Sequence, residues 1–227
     1  VMDRKTYSLL ENFMLASTSD SAHDREHIYR VLHSALAIAK TEENVDYDIL
    51  LAACLLHDVG RPEQFENPQL CHAEVGSEKA YTFLLQNGFT EDFAAAVRSC
   101  ILTHRFRISR PPQSIEAKIL FDADKLDVTG AMGIARTLQY KATTLEPLYL
   151  LNERGEVSNG ESDLGSSFFR EYHFKLKNLY DRFYTAAGKA MAEDRRKIAE
   201  DFYHALYNEV APGYQEGKET LDNLLTE

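Results

Sequence analysis

The stretch Ile49-Leu50-Leu51-Ala52-Ala53-Cys54-Leu55-Leu56-His57-Asp58-Val59-Gly60 decides the fold class. From Ile49 to Leu56 it is apolar on nearly every side of a helix, which predicts an element starting near Tyr47 and buried at the centre of a helical domain. Gly60, followed by Pro62, terminates it. The abrupt feature is the ionisable pair His57-Asp58 at its end, where packing alone calls for an apolar residue or glycine and where buried charge is costly. Successive side chains on a helix diverge by roughly 100°, so a His and the next Asp can meet one point only near a helix terminus.

Working outward, Ser21 and Asp24 form a capping-box pattern before a stripe of Ile28, Val31, Leu32, Ala35, Ile38 and Ala39, which predicts a helix ending near Lys40. On the other side, residues 61 to 71 contain two prolines and no stripe and are read as a surface loop. Helices are predicted from Ala73 to Gln86, stopped by Asn87-Gly88, from Thr90 through Thr103, and from a Ser114 cap over Ile115 to Leu126. More helix follows Gly130, then a Gly-, Ser- and Asn-rich excursion at 152 to 165, then helices near Ser167 to Asp181 and Thr185 to Glu209. Leu and Ala number 51 against 18 for Val and Ile, so the fold class is all-α. Residues 1–163 are taken as the core and 164–227 as a C-terminal helical extension packed on it, with one domain throughout as the other division.

The remaining composition narrows function. The chain has 227 residues, with 25 basic against 36 acidic side chains and a net charge of -11. That balance works against a polymeric nucleic-acid binder or an anionic-membrane binder, so an anionic substrate needs a local basic cluster or a cation. Three cysteines in no CxxC spacing argue against a disulfide framework and fit a reducing, cytoplasmic compartment. No apolar run is long enough to cross a membrane, and the sequence contains no P-loop and no GxSxG elbow. Oligomeric state is not legible.

A divalent cation is the natural reason to place imidazole and carboxylate together, and it needs ligands beyond His57 and Asp58. His27 and Asp124 stand at the edges of other apolar stripes. In this order, His27, His57-Asp58 and Asp124, set in Ala52-Ala53-Cys54-Leu55-Leu56-His57-Asp58-Val59-Gly60 and Asp122-Ala123-Asp124-Lys125-Leu126-Asp127, resemble the HD superfamily of metal-dependent phosphohydrolases. The likeness covers about residues 20 to 130. It implies a compact multi-helix bundle and a metal held by His27, His57, Asp58 and Asp124. His72 and His104 fall in the interval where two-metal members carry extra histidines, and they are read either as ligands to a second metal or as donors to a substrate phosphate.

Around these, His23 lies four residues before His27 on the same face and is a candidate substrate contact, with helix capping as the alternative. Asp127, three residues after Asp124 and on the same face, suits an acceptor that steadies a ligand from behind or a base for the attacking water, with Lys125 beside it. Arg61 and Arg105 belong to a basic concentration, with Arg107 and Arg110, that suits phosphate oxygens. The ligand set is hard or borderline, which favours Mn, Mg, Co or Fe. The resemblance implies hydrolysis of a small phosphate ester or phosphoanhydride, a nucleotide first, including cleavage of a nucleoside triphosphate to monophosphate and pyrophosphate. Two other classes compete: a di-iron HD oxygenase, which needs both extra histidines, and a non-catalytic regulator that uses the metal as a sensor.

Overall fold

A computed structural model describes residues 2–17, 25–105 and 110–225. Among them it contains ten α-helices and no named strand, only an isolated bridge between Leu151 and Val157, so the fold is all-α. The chain divides into two compact units, residues 1–127 with 183–190, and residues 128–182 with 191–227.

The first unit is built around α3 (Tyr47–Leu56), with α1 (Arg4–Ser17), α2 (Arg25–Ala39), α5 (His72–Gln86), α6 (Glu91–Thr103) and α7 (Ile115–Leu126) packed against it. That surround explains the apolar sequence: Leu50, Ala52, Ala53, Cys54, Leu55 and Leu56 are all buried. Asp46 starts the helix by accepting the amides of Asp48 and Ile49, and Glu116 of α7 holds the Asp46 amide at 2.9 Å. Thr90 and Ser114 cap α6 and α7 as their sequence positions predict.

The prediction departs from the structure in several places. No helix is predicted near the N-terminus, yet α1 forms there, its Asp3 side chain accepting the Thr6 amide and its Leu10 and Met14 buried. The expected loop at 61 to 71 opens with a short helix, α4 (Arg61–Glu66), because Pro62 falls in the first turn, where a missing N–H costs nothing. The Ser21–Asp24 cap lies outside the described residues. In the second unit, α8 (Gly130–Thr143) and α9 (Phe168–Phe174) surround a cluster of Ile134, Phe168, Phe169, Tyr172 and Tyr203, and a 3-10 turn (Leu176–Asn178) replaces the expected end of α9. The last helix, α10 (Ala186–Leu224), runs well past Glu209 and through Pro212. In the first unit its start is anchored by buried Asp122, which accepts the Tyr184 and Thr185 amides and the Thr185 hydroxyl. No helix among the described residues is long and apolar enough to cross a membrane.

Candidate metal centre

His57 is the C-terminal cap of α3 and Asp58 lies in the turn beyond it, the placement that lets adjacent side chains converge. His27 comes from the first turn of α2, His72 from the first residue of α5, His104 from the C-cap of α6 and Asp124 from the last turn of α7. Five different helix ends or edges therefore meet on one point. His27, His57, Asp58, His72 and His104 are each no more than 2 % exposed, so the cluster is removed from water. Asp124, at 14 %, with Lys125 beside it, forms the partly open edge.

The six side chains sort into two triads, His27–His57–Asp124 and Asp58–His72–His104. Asp58 stands between them. Its Oδ2 lies 3.6 Å from His27 Nε2 and 3.8 Å from His57 Nε2, while its Oδ1 lies 3.6 Å from His72 Nε2 and 3.7 Å from His104 Nε2. Asp124 Oδ1 is 3.5 Å from His27 Nε2.

Hydrogen bonding settles which ring nitrogen faces inward. His57 Nδ1 meets the Cys54 carbonyl at 2.7 Å and His104 Nδ1 the Ile101 carbonyl at 2.6 Å; a carbonyl only accepts, so each Nδ1 carries the proton. His72 Nδ1 donates to Gln64 Oε1 at 2.7 Å, the amide orientation being fixed by Gln64 Nε2 donating to the Leu70 carbonyl. His27 Nδ1 donates to Asp127 Oδ2 at 2.7 Å. In the neutral rings every Nε2 then presents a lone pair, and these lone pairs face one another at 3.4 Å (His27 to His57) and 3.3 Å (His72 to His104).

The electrostatics agree. Burial pushes His57 down to about 4 and His72 down to about 2, so both rings are neutral at pH 7. Burial raises the Asp58 carboxyl, but the Arg61 guanidinium beside it outweighs burial and holds the group well below the usual carboxylate range. Asp124 is likewise held down against burial, by the Lys125 ammonium. Asp58 Oδ2 has no hydrogen-bond partner although buried. Four inward lone pairs and two carboxylates, one of them with an orphan oxygen, form a cavity lined by acceptors, which suits a divalent cation.

The other predicted site residues are placed as follows. Arg61 Nε donates to Asp58 Oδ1 at 2.9 Å. Lys125 Nζ binds Asp124 Oδ2 at 2.7 Å and the His104 carbonyl at 3.4 Å, over the Phe121 ring. Asp127 is buried against His27 and Arg30. Arg105 reaches Cys71 Sγ at 3.5 Å, and Arg110 pairs with exposed Glu74. His23 and Arg107 lie outside the described residues. Sequence reading missed Arg30 and Gln64, though each stands three residues from a site residue, His27 and Arg61, and so on its helical face.

Comparison with known proteins places this geometry. The family described as HD domain matches residues 25–129. A structure from an uncultured Thermotogales bacterium, named as a predicted HD superfamily hydrolase, is 30% identical with a TM-score of 0.59, covering 88% of this chain and 90% of that one. The uncharacterized protein YpgQ of Bacillus subtilis is 29% identical over 203 residues, 88% of this chain and 89% of the relative. A crystal structure of YpgQ in complex with ADP superposes with a TM-score of 0.70 at 25% identity, covering 90% of this chain and 97% of that chain.

Proposed function

The chain belongs to the HD superfamily of hydrolases, and on that premise we propose that it is a metal-dependent phosphohydrolase acting on a small phosphate ester or phosphoanhydride. Its substrate in this reading is a nucleotide, and its reaction the cleavage of a nucleoside triphosphate to monophosphate and pyrophosphate. The observation that carries the proposal is the pair of opposed triads with one oxygen of Asp58 turned toward each. The ADP complex of YpgQ supports the choice of a nucleotide.

A divalent cation such as Mn, Mg, Co or Fe supplies Lewis acidity and makes water nucleophilic near neutral pH. His27, His57 and Asp124 would hold one such ion and Asp58, His72 and His104 a second. The alternative for His72 and His104, donation to a phosphate, is disfavoured because their Nδ1 protons are spent on Gln64 and Ile101 and their Nε2 atoms carry lone pairs. Arg61 and Arg105, each partly exposed beside the second triad, supply positive charge for phosphate oxygens. Lys125 offsets the charge of Asp124 at the open edge. Asp127 engages both its oxygens with Arg30 and His27, which suits holding His27 better than accepting a proton from water.

Turnover of a nucleoside triphosphate in oxygen-18 water with Mn2+ tests the reaction. Label in the monophosphate with unlabelled pyrophosphate supports the proposal; label in orthophosphate alone replaces it with terminal phosphate hydrolysis. The complete second triad also meets the requirement of the di-iron oxygenase, and iron-dependent oxygen uptake with no label in any phosphate product selects that reading.

A further inference from the structure

The four imidazoles of the centre are not backed alike. His57, His72 and His104 give their Nδ1 protons to the neutral oxygens of Cys54, Gln64 and Ile101. His27 gives its proton to a carboxylate, Asp127, and Arg30 grips that carboxylate through two bonds, Nε to Oδ1 at 2.7 Å and Nη2 to Oδ2 at 3.1 Å. We infer that Arg30 is a positioning residue that acts through Asp127 on His27 and makes the His27–His57–Asp124 triad the tighter of two unequal cation sites. The inference rests on the metal-centre reading above.

The geometry supplies the reason. Asp127 is 5 % exposed and Arg30 33 %, so a surface guanidinium closes over a buried carboxylate. A two-bond grip fixes the plane of that carboxylate and so the direction from which Oδ2 meets His27 Nδ1. The ring is thereby prevented from swinging, and its Nε2 stays aimed between Asp124 Oδ1 and His57 Nε2. A carboxylate is also a stronger acceptor for the Nδ1 proton than an amide oxygen, and Arg30, by offsetting its charge, keeps it ionised and fixed in place. The second triad has only amide oxygens behind its two imidazoles, and its Asp58 Oδ1 is shared with Arg61. Arg30 stands one turn after His27 on α2, so the same helix delivers the ligand and the group that steadies it.

The test is Mn2+ binding to chelator-treated full-length protein, measured by calorimetry for the wild type, Arg30→Met, Arg30→Lys, Asp127→Asn and the Arg30→Met/Asp127→Asn double variant. Arg30→Met is expected to weaken the tighter site by about tenfold or more and to leave the weaker site unchanged, with Arg30→Lys recovering part of the loss. The double variant is expected to bind no more weakly than Asp127→Asn, because the effect of Arg30 on His27 is carried by that carboxylate. Equal tight-site affinity in wild type and both Arg30 variants overturns the inference, as do losses that add in the double variant. Wild type that takes up no Mn2+ instead overturns the metal-centre reading, and this inference with it.

Discussion

Gly60→Ala tests how the second triad is held. The glycine has φ −95° and ψ 5°, which an alanine adopts, so conformational strain is not at issue. Space is: a Cβ built there lies 2.5 Å from the Gly76 amide nitrogen, 2.9 Å from its Cα, and closer still to the His72 carbonyl oxygen. Ordinary contact begins at 3.4 Å, so the backbone of α5 must retreat by roughly 1 Å. Lys79 resists that movement by donating to the Val59 carbonyl and to Glu63, both at 2.7 Å. Overpacking of this kind costs about 1–3 kcal/mol, which for a chain of this size corresponds to a Tm lowered by roughly 3–10 °C. The site consequence is sharper, since ligand distances tolerate only about 0.2 Å of error. His72 rides on the displaced end of α5, whereas His27, His57 and Asp124 stand on α2, α3 and α7. Metal analysis is therefore expected to fall from two Mn2+ per chain to one, with the tighter site kept. Gly76→Ala, whose Cβ meets Gly60 N at 3.1 Å, is expected to show a milder form of both effects. A Gly60→Ala protein with wild-type Tm and wild-type metal content refutes the reasoning.

Further outcomes are expected. His57→Ala and Asp58→Ala each abolish tightly bound metal and hydrolysis while circular dichroism stays helical; retained stoichiometry in both removes the central reading. The His72→Ala/His104→Ala double variant loses the weaker metal and most activity but keeps the tighter metal, and full activity with unchanged metal content excludes a role for either residue. Metal-free protein loses stability as pH falls from 6.5 toward 4, because His57 and His72 bind their protons in the unfolded chain at about 6.5 but in the fold only near 4 and 2, a penalty of roughly 3 kcal/mol from each. The carboxylates Asp58 and Asp124, held down in the fold, lose their contribution only below about 3.8, so a Tm that is flat between pH 6.5 and 4 contradicts a buried neutral His57.

What the sequence discloses about this centre follows from what each part costs. His57 and Asp58 are conspicuous because a helix that is apolar from Ile49 to Leu56 has no packing reason to end in two ionisable side chains, and His72 and His104 lie in order behind them. The helix α1 was less visible because its buried stripe is short, Leu10 and Met14, and its mean character is balanced between polar and apolar. The start of α4 was hidden for a different reason: proline reads as a loop residue, although in a first turn it is compatible with helix.

The division into two triads could not be read along the chain at all. It depends on which oxygen of Asp58 faces which imidazoles, and on α5 lying close enough to bring His72 in, which Gly60 and Gly76 allow by meeting backbone to backbone, a contact that two glycines in different elements do not announce. The supporting acceptors are harder still. Two of the four imidazoles are oriented by the main-chain carbonyls of Cys54 and Ile101, groups that any residue at those positions carries. Only where a side chain does the orienting, as with Gln64 behind His72 and Asp127 with Arg30 behind His27, is there a residue type to notice, and the Arg30–Asp127 pairing spans 97 positions of sequence. Ligands are thus legible because His and Asp are expensive to bury, while the tautomers that turn four histidines into four inward lone pairs are fixed half by backbone carbonyls and half by side chains, and emerge only when the helix ends are brought together.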